Sequence, residues 1–444
     1  MLKKVAHRFK RLLVTRRRPL LFSMSFSALL MVLTYLGSNL PIPLGGEKEL
    51  LRKLNFIDKI VHQDDTAFLD SVLFVNVTYD KVINPNPKRV NDEIVGHIPI
   101  TDRSKLLKLL QYLKDNANYK FVMLDVFFDF EDGPSSHTDS ALFETILSMD
   151  RIVIPYHGDE RIADERLLQK AGLSDLNETY FRVGFSKYSY LSRRTVMHAT
   201  DGTKAKVVDV SLPLKMYGEV TNREIKRHWN GLFYTDGKRL AKRSSFLPMD
   251  VMADKAVVRD SIRIWLNLGM DLLGDTISYK VGNRTMRRIG QAELYHNPEL
   301  TRNKYIVVGA CQGDDEHFTF KGSTSGAVIN YNAFCSLMEG RHLVRYDFVV
   351  TLFLLYFFLT YYILTKNDIK EYAEKSKRKL VRSICKVLVL VSSWLSYATV
   401  LTLLCLFTYI CFGETHEILV TSTVFYLLSK IINSKTFQSW RKQT

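Results

Sequence analysis

Three aspartates in the first third of the chain are the side chains best placed to do chemistry. Asp125 and Asp129 close the run Phe121-Val-Met-Leu-Asp-Val-Phe-Phe-Asp, and Asp139 follows the turn Gly133-Pro-Ser-Ser. In open α/β sheets ligands collect outside the carboxyl ends of the strands. Carboxylates there would bind a cation or the amine of a small ligand. Aspartate also favours turns and helix caps, which is the structural reading of the same residues. Thr101, Asp102 and Arg103 would line the same crevice, with capping as the other role for the first two and a surface ion pair for Arg103. A further acidic stretch, Gly313-Asp-Asp-Glu-His, reads as a flexible loop where a metal or a partner could dock, or as a solvated connection. Catalytic signatures are missing: the chain has no GxSxG, Walker A, kinase or zincin motif and no CxxC pair. The expectation is a non-enzyme without a cofactor.

These residues need elements to hold them. Val72–Val77 reads as a strand, and Leu106–Leu113 as an amphipathic helix capped by Thr101 or Asp102. Phe121–Asp129 reads as a central strand. A helix follows from His137, capped near Thr138 or Asp139, and then a strand at Arg151–Pro155. Strands alternating with helices point to an α/β domain with a mixed, largely parallel sheet. The pattern is looser from 157 to 300. Phe181–Phe185, Lys206–Val210 and Ser278–Val281 look like strands, and 218–260 reads as a helix plus an irregular excursion. Tyr305–Gly309 closes the domain as a buried strand. A helix then carries Gly326, Ile329, Asn330, Ala333, Phe334, Leu337 and Met338 on one apolar face. Asn330 there would satisfy a neighbouring backbone group. Cys311 ends the strand and Cys335 sits on this helix, so a bridge between them is geometrically allowed.

The formal charge of +16 looks like a nucleic-acid signal until it is located. Residues 1–18 carry eight Lys or Arg, and 366–386 carry eight more against three acids. With Lys430, Lys435, Arg441 and Lys442 these hold the whole positive excess, and every cluster flanks an apolar run. Membrane topology explains that distribution, and nucleic acid is not expected as a partner. Four transmembrane helices are expected, at 19–40, 346–365, 387–412 and 417–433. The last is shorter than the roughly 20 residues a span usually needs. A signal peptide is the rival for the first, but its apolar part is long and no A-x-A-like site follows. The basic tail 1–18, the loop 366–386 and the tail 434–444 then lie in the cytoplasm, with the 41–345 domain outside.

The domain resembles the CHASE2 domain, an extracytoplasmic sensory module of bacterial signalling proteins. The resemblance rests on Val72-Leu-Phe-Val-Asn-Val-Thr-Tyr-Asp, on Ile100-Thr-Asp-Arg before a Leu-rich helix, and on Leu124-Asp-Val-Phe-Phe-Asp with Asp139-Ser-Ala-Leu. It ends with Tyr305-Ile-Val-Val-Gly-Ala and Gly326-Ala-Val-Ile-Asn-Tyr-Asn-Ala. It implies one span, a sensory domain and three further spans in a bacterial inner membrane, usually followed by an output domain. About ten residues follow the last expected span here, so output in cis is not expected.

Two functions are therefore expected in competition. One is a membrane-anchored sensor that binds a small ligand or envelope component and signals to a separate partner. Gly326, Asn330, Arg341 and Arg345 would couple its domain to the membrane. The other is a non-catalytic scaffold or docking subunit of an envelope complex. The expected partners are the lipid membrane, an unidentified protein and, on either reading, further copies of the chain. An empty acidic crevice favours the sensor, and a closed, salt-bridged one the scaffold.

Overall fold

The computed structural model describes residues 17–39, 71–78, 80–85, 89–90, 93–94, 96–128, 136–157, 162–174, 187–198, 206–246, 263–267, 277–281, 284–310, 315–319, 322–375, 394–412 and 418–434. It divides into two compact units. One comprises Met1–Val61, His228–Phe233 and Leu343–Thr444, and the other His62–Arg227 and Tyr234–His342.

The second unit is the expected α/β domain. Its eight-stranded sheet runs Ile277–Val281, Arg284–Gly290, Arg263–Asn267, Val72–Asn76, Tyr305–Gly309, Phe121–Asp125, Ile152–Tyr156 and Ala171–Leu173 in spatial order. Every pairing is parallel except the edge hairpin of Ile277–Val281 with Arg284–Gly290. The central strands are short β-branched runs buried on both faces, as parallel strands covered by helices must be. The chain builds outward from Val72–Asn76 on one side, crosses to the other, and returns last to insert Tyr305–Gly309 beside the first strand. That late insertion puts residues far apart in sequence next to one another at the sheet's carboxyl edge.

The Arg103–Asn116 helix forms where expected. Asp102 is its N-cap and accepts from the backbone amides of Ser104 and Lys105. It buries Leu106, Leu109, Leu110 and Leu113 in the main core with Val122, Leu124, Ile154 and Ile306. The His137–Ser148 helix is capped by Ser136 rather than by Thr138 or Asp139. Asp139 pairs with Arg103.

Several readings need correction. The Phe121 strand stops at Asp125, four residues earlier than expected. The 218–246 part is not irregular: Ile225–His228, Phe233–Asp236 and Arg239–Ala241 make a small three-stranded sheet after the Leu212–Thr221 helix. The loop after Gly309 is not a loose connection either, because Glu316–Thr319 pairs antiparallel with Gly322–Ser325. The strands expected at Lys206–Val210 and Ser278–Val281 form, while Phe181–Phe185 lies outside the described residues. Gly326–Met338 is helical but buried on all sides rather than on one face. A helix apolar all round belongs inside a core. Its Cys335 is a buried thiol, and Cys311 lies outside the described residues.

In the first unit, two helices are long and apolar enough to cross a membrane, Pro19–Asn39 and Tyr346–Thr365. The second of these continues to Lys375, into the segment expected to be a loop. Trp394–Phe412 and Ile418–Asn433 are also helical, and residues 387–393 lie outside the description. Leu30, Leu352, Tyr356, Leu401, Phe425 and Leu428 pack together between these helices. The hydroxyls of Thr34 and Tyr356 meet at 3.0 Å. Outward, Leu29, Val350, Phe358, Leu403 and Ile431 are exposed. The cluster thus carries apolar side chains both inside and out, with buried hydroxyls such as Ser23, Ser27 and Thr360 among them.

Candidate functional site

Asp125 ends its strand in register with Gly309, and Gly309 is in register with Asn76, so three adjacent strands finish at one level. Asn76 is used locally, its Oδ1 accepting from the amide and hydroxyl of Thr78. Asp125 is not used locally. Ser174, which directly follows the Ala171–Leu173 strand, donates its hydroxyl to Asp125 Oδ1 at 3.1 Å. Asn330, on the Gly326–Met338 helix, donates Nδ2 to Asp125 Oδ2 at 3.1 Å and reaches Ser174 Oγ at 3.1 Å. The hydroxyl of Tyr188 in turn donates to Asn330 Oδ1 at 3.0 Å. Tyr188 and Asn330 are fully buried. The hydrogen bonds therefore run in one direction, from tyrosine to asparagine to serine and carboxylate, with donors on both aspartate oxygens.

Such an arrangement suits an ionised carboxylate. Burial opposes it. Protein atoms crowd the carboxyl, and Asp315 adds a like charge, so the pKa of Asp125 is pushed up to about 7 by desolvation first and Asp315 second. The bonds from Asn330 and Ser174 and the charge of His317 pull the other way. The residue as a whole still keeps some accessible surface, although its carboxyl is enclosed by protein atoms. At neutral pH this carboxyl can gain or lose a proton. Among the described residues its two hydrogen-bonding partners are neutral, and no cationic side chain is bonded to it.

Two glycines make the close approach possible. A Cβ on Gly309 would lie 2.8 Å from Cβ of Ala327 and 3.2 Å from Cβ of Asp125. A Cβ on Gly326 would lie 2.1 Å from Oδ2 of Asp315. Gly326 also donates its amide to the Asp315 carbonyl at 2.9 Å. Asp315 Oδ1 meets His317 Nε2 at 2.7 Å, so the hairpin after Gly309 holds its acid and its imidazole together beside the helix start. Among the described residues no group of three His, Cys, Asp or Glu side chains could hold a metal ion.

The other expected ligand residues do not join this set. Asp139 and Arg103 form a buried ion pair at 2.8 Å, and the guanidinium lies over the Phe128 ring. Asp102 caps its helix, and Thr101 pairs with Lys81 in a hairpin. Asp129 lies outside the described residues. Of the coupling candidates, Gly326 and Asn330 belong to the Asp125 site. Arg341 pairs with Glu339, and Arg345 pairs with Asp347 and donates to the Phe412 carbonyl. Asn330 does not serve a backbone group as expected, whereas Asn332 does, donating to the Val328 carbonyl. Ser174 and Tyr188 escaped the sequence reading; a lone serine after a three-residue strand carries no local signal.

A second buried polar group lies at the end of the domain. Tyr217 donates to Asp236 Oδ2 at 2.8 Å, and His342 Nε2 lies 3.0 Å from the same oxygen. His342 is fully buried, and burial lowers its pKa against the opposing pull of Asp236.

No family model, no curated protein and no solved structure matches this chain. The functional reading therefore rests on the residues and geometry themselves.

Proposed function

We propose that the chain is a membrane-anchored receptor of the CHASE2 type, whose α/β domain takes a cationic group at Asp125. On this reading four helices cross a bacterial inner membrane, the domain faces outward, and the signal leaves through a separate partner. The apolar exterior of the helical cluster supports the membrane part. One observation carries the receptor part: Asn330 holds the Asp125 carboxylate from the helix that leads, after Met338, into the long apolar helix beginning at Tyr346. A cation arriving at Asp125 would stabilise the ionised carboxylate and the bond from Asn330 together. The ligand must prefer one arrangement of this helix over another, or nothing is transmitted. The buried Arg103–Asp139 pair fits the scaffold reading for its part of the edge. Asp125, whose bonded partners are neutral, favours the receptor.

The test uses the full chain in lipid nanodiscs at pH 8. Methylammonium, a linear polyamine, magnesium and calcium are added in turn, and the melting temperature is followed. At least one should raise it in the wild type and not in Asp125→Asn. If none does, or if the variant responds equally, the receptor reading fails.

A further inference from the structure

The Ile225–His228 and Phe233–Asp236 strands are joined by Trp229-Asn230-Gly231-Leu232. This turn is unusual in what it exposes. Trp229 is 76% accessible and Leu232 50%, although both are strongly apolar. Trp229, Asn230 and Gly231 have φ of 48, 53 and 90°, in the left-handed region that tryptophan rarely visits. The chain thus bends sharply to hold an indole out, where water gives it nothing in return.

What lies beneath the turn shows where it points. Phe233 meets the Trp229 ring edge-on at 5.4 Å and stacks on Tyr35 at 5.6 Å with the planes 16° apart. Tyr35 is in the last turns of the Arg17–Asn39 helix, whose Pro19–Asn39 part is long and apolar enough to cross a bilayer. A tyrosine near a span's end sits at headgroup level, where amphipathic rings collect. The stack carries that level outward from Tyr35 through Phe233 to Trp229. The residues leading into the turn, Lys226-Arg227-His228, are exposed and basic. A protruding aromatic and aliphatic pair next to cationic side chains matches the chemistry of a lipid surface with anionic phosphates.

We propose that the Trp229–Leu232 turn is an interfacial anchor. Its indole and Leu232 seat in the boundary of the bilayer that the Arg17–Asn39 helix crosses, and Lys226 and Arg227 face anionic lipid phosphates. The proposal rests on that helix being a span, and the test separates the two.

The full chain is placed in nanodiscs of phosphatidylcholine with phosphatidylglycerol. One protein keeps Trp229 alone, with Trp265, Trp394 and Trp440 changed to Phe. A second lacks all native tryptophans and carries Leu29→Trp, at an outward position midway along the helix. Fluorescence is quenched by lipids brominated either near the headgroup or deep in the chain. Trp229 should be quenched severalfold more by the shallow bromines, and the residue-29 probe more by the deep ones. If the residue-29 probe is quenched and Trp229 is not, the anchor is wrong and the span stands. If neither is quenched, the span fails and the anchor with it. A Trp229 emission shielded from bromine but dependent on protein concentration would mean that a second copy covers the turn, which also overturns the proposal. Should the multiple variants fold poorly, Trp229→Phe in the otherwise native chain must lower the fraction of emission quenched by shallow bromines. Lys226→Glu with Arg227→Glu should remove the dependence on phosphatidylglycerol, and an unchanged dependence would refute the phosphate contact.

Discussion

Asp125 is the sharpest place to test this structure, because its charge is opposed by burial and supported by bonding at once. In the unfolded chain its carboxyl titrates near 3.8, and in the fold near 7. Between those values the folded protein holds a proton that the unfolded chain releases. Stability from this group therefore falls as pH rises from about 4 to about 7, and is level above that. The full shift corresponds to about 4 kcal/mol, at about 1.4 kcal/mol per unit. Since some of Asp125 is reached by water, about 2 kcal/mol is the expected size. Asp125→Asn removes the titration. Its amide must place one donor against Ser174 or Asn330, so the variant has its own constant cost, and the informative quantity is how its gap from wild type changes with pH. As pH goes from 4.5 to 8, the gap should move in favour of asparagine by about 4–8 °C in melting temperature for a domain of this size. Intrinsic fluorescence in nanodiscs at one scan rate would measure it. A gap constant over that range would show that Asp125 has an ordinary carboxylate pKa and would refute the balance argued for the site.

Other perturbations test neighbouring parts of the argument. Arg103→Met strands the buried Asp139 carboxylate and should cost about 3–5 kcal/mol in urea unfolding, with much of that recovered when Asp139→Leu is added. Gly309→Ala drives a methyl toward Ala327 and should cost about 1–3 kcal/mol, relieved by Ala327→Gly, which a double-mutant cycle of melting temperatures would reveal. Burial keeps the folded His342 from taking up the proton that the unfolded histidine binds below its ordinary value of 6.5, so its share of stability is full above that pH and lost as pH falls through it. His342→Gln should flatten that acid-side loss in a melting series, and an unchanged series would place the acid sensitivity elsewhere. Asp102→Ala removes a cap bonded to two amides and should cost about 1 kcal/mol, read by thermal unfolding.

Much of the scaffold was legible because local physics writes it into short stretches. Short β-branched apolar runs and an amphipathic period marked the strands at Val72, Ile152 and Tyr305 and the helix at Arg103, with Asp102 one of two cap candidates. Uninterrupted apolar length marked Pro19–Asn39 and Tyr346–Thr365, but not the helical continuation to Lys375. Asp125 was singled out by its place at the end of a buried strand. Its partners were not, since Ser174 is 49 residues away and Asn330 is 205 away. Periodicity tells which face of an element is covered, but not which covered polar groups will meet. Sheet order decided that, by returning Tyr305–Gly309 to the centre and laying the Gly326–Met338 helix against the carboxyl edge. The same tertiary arrangement drew Asp139 away from the expected site, because a buried carboxylate needs a compensating cation and Arg103 supplies it.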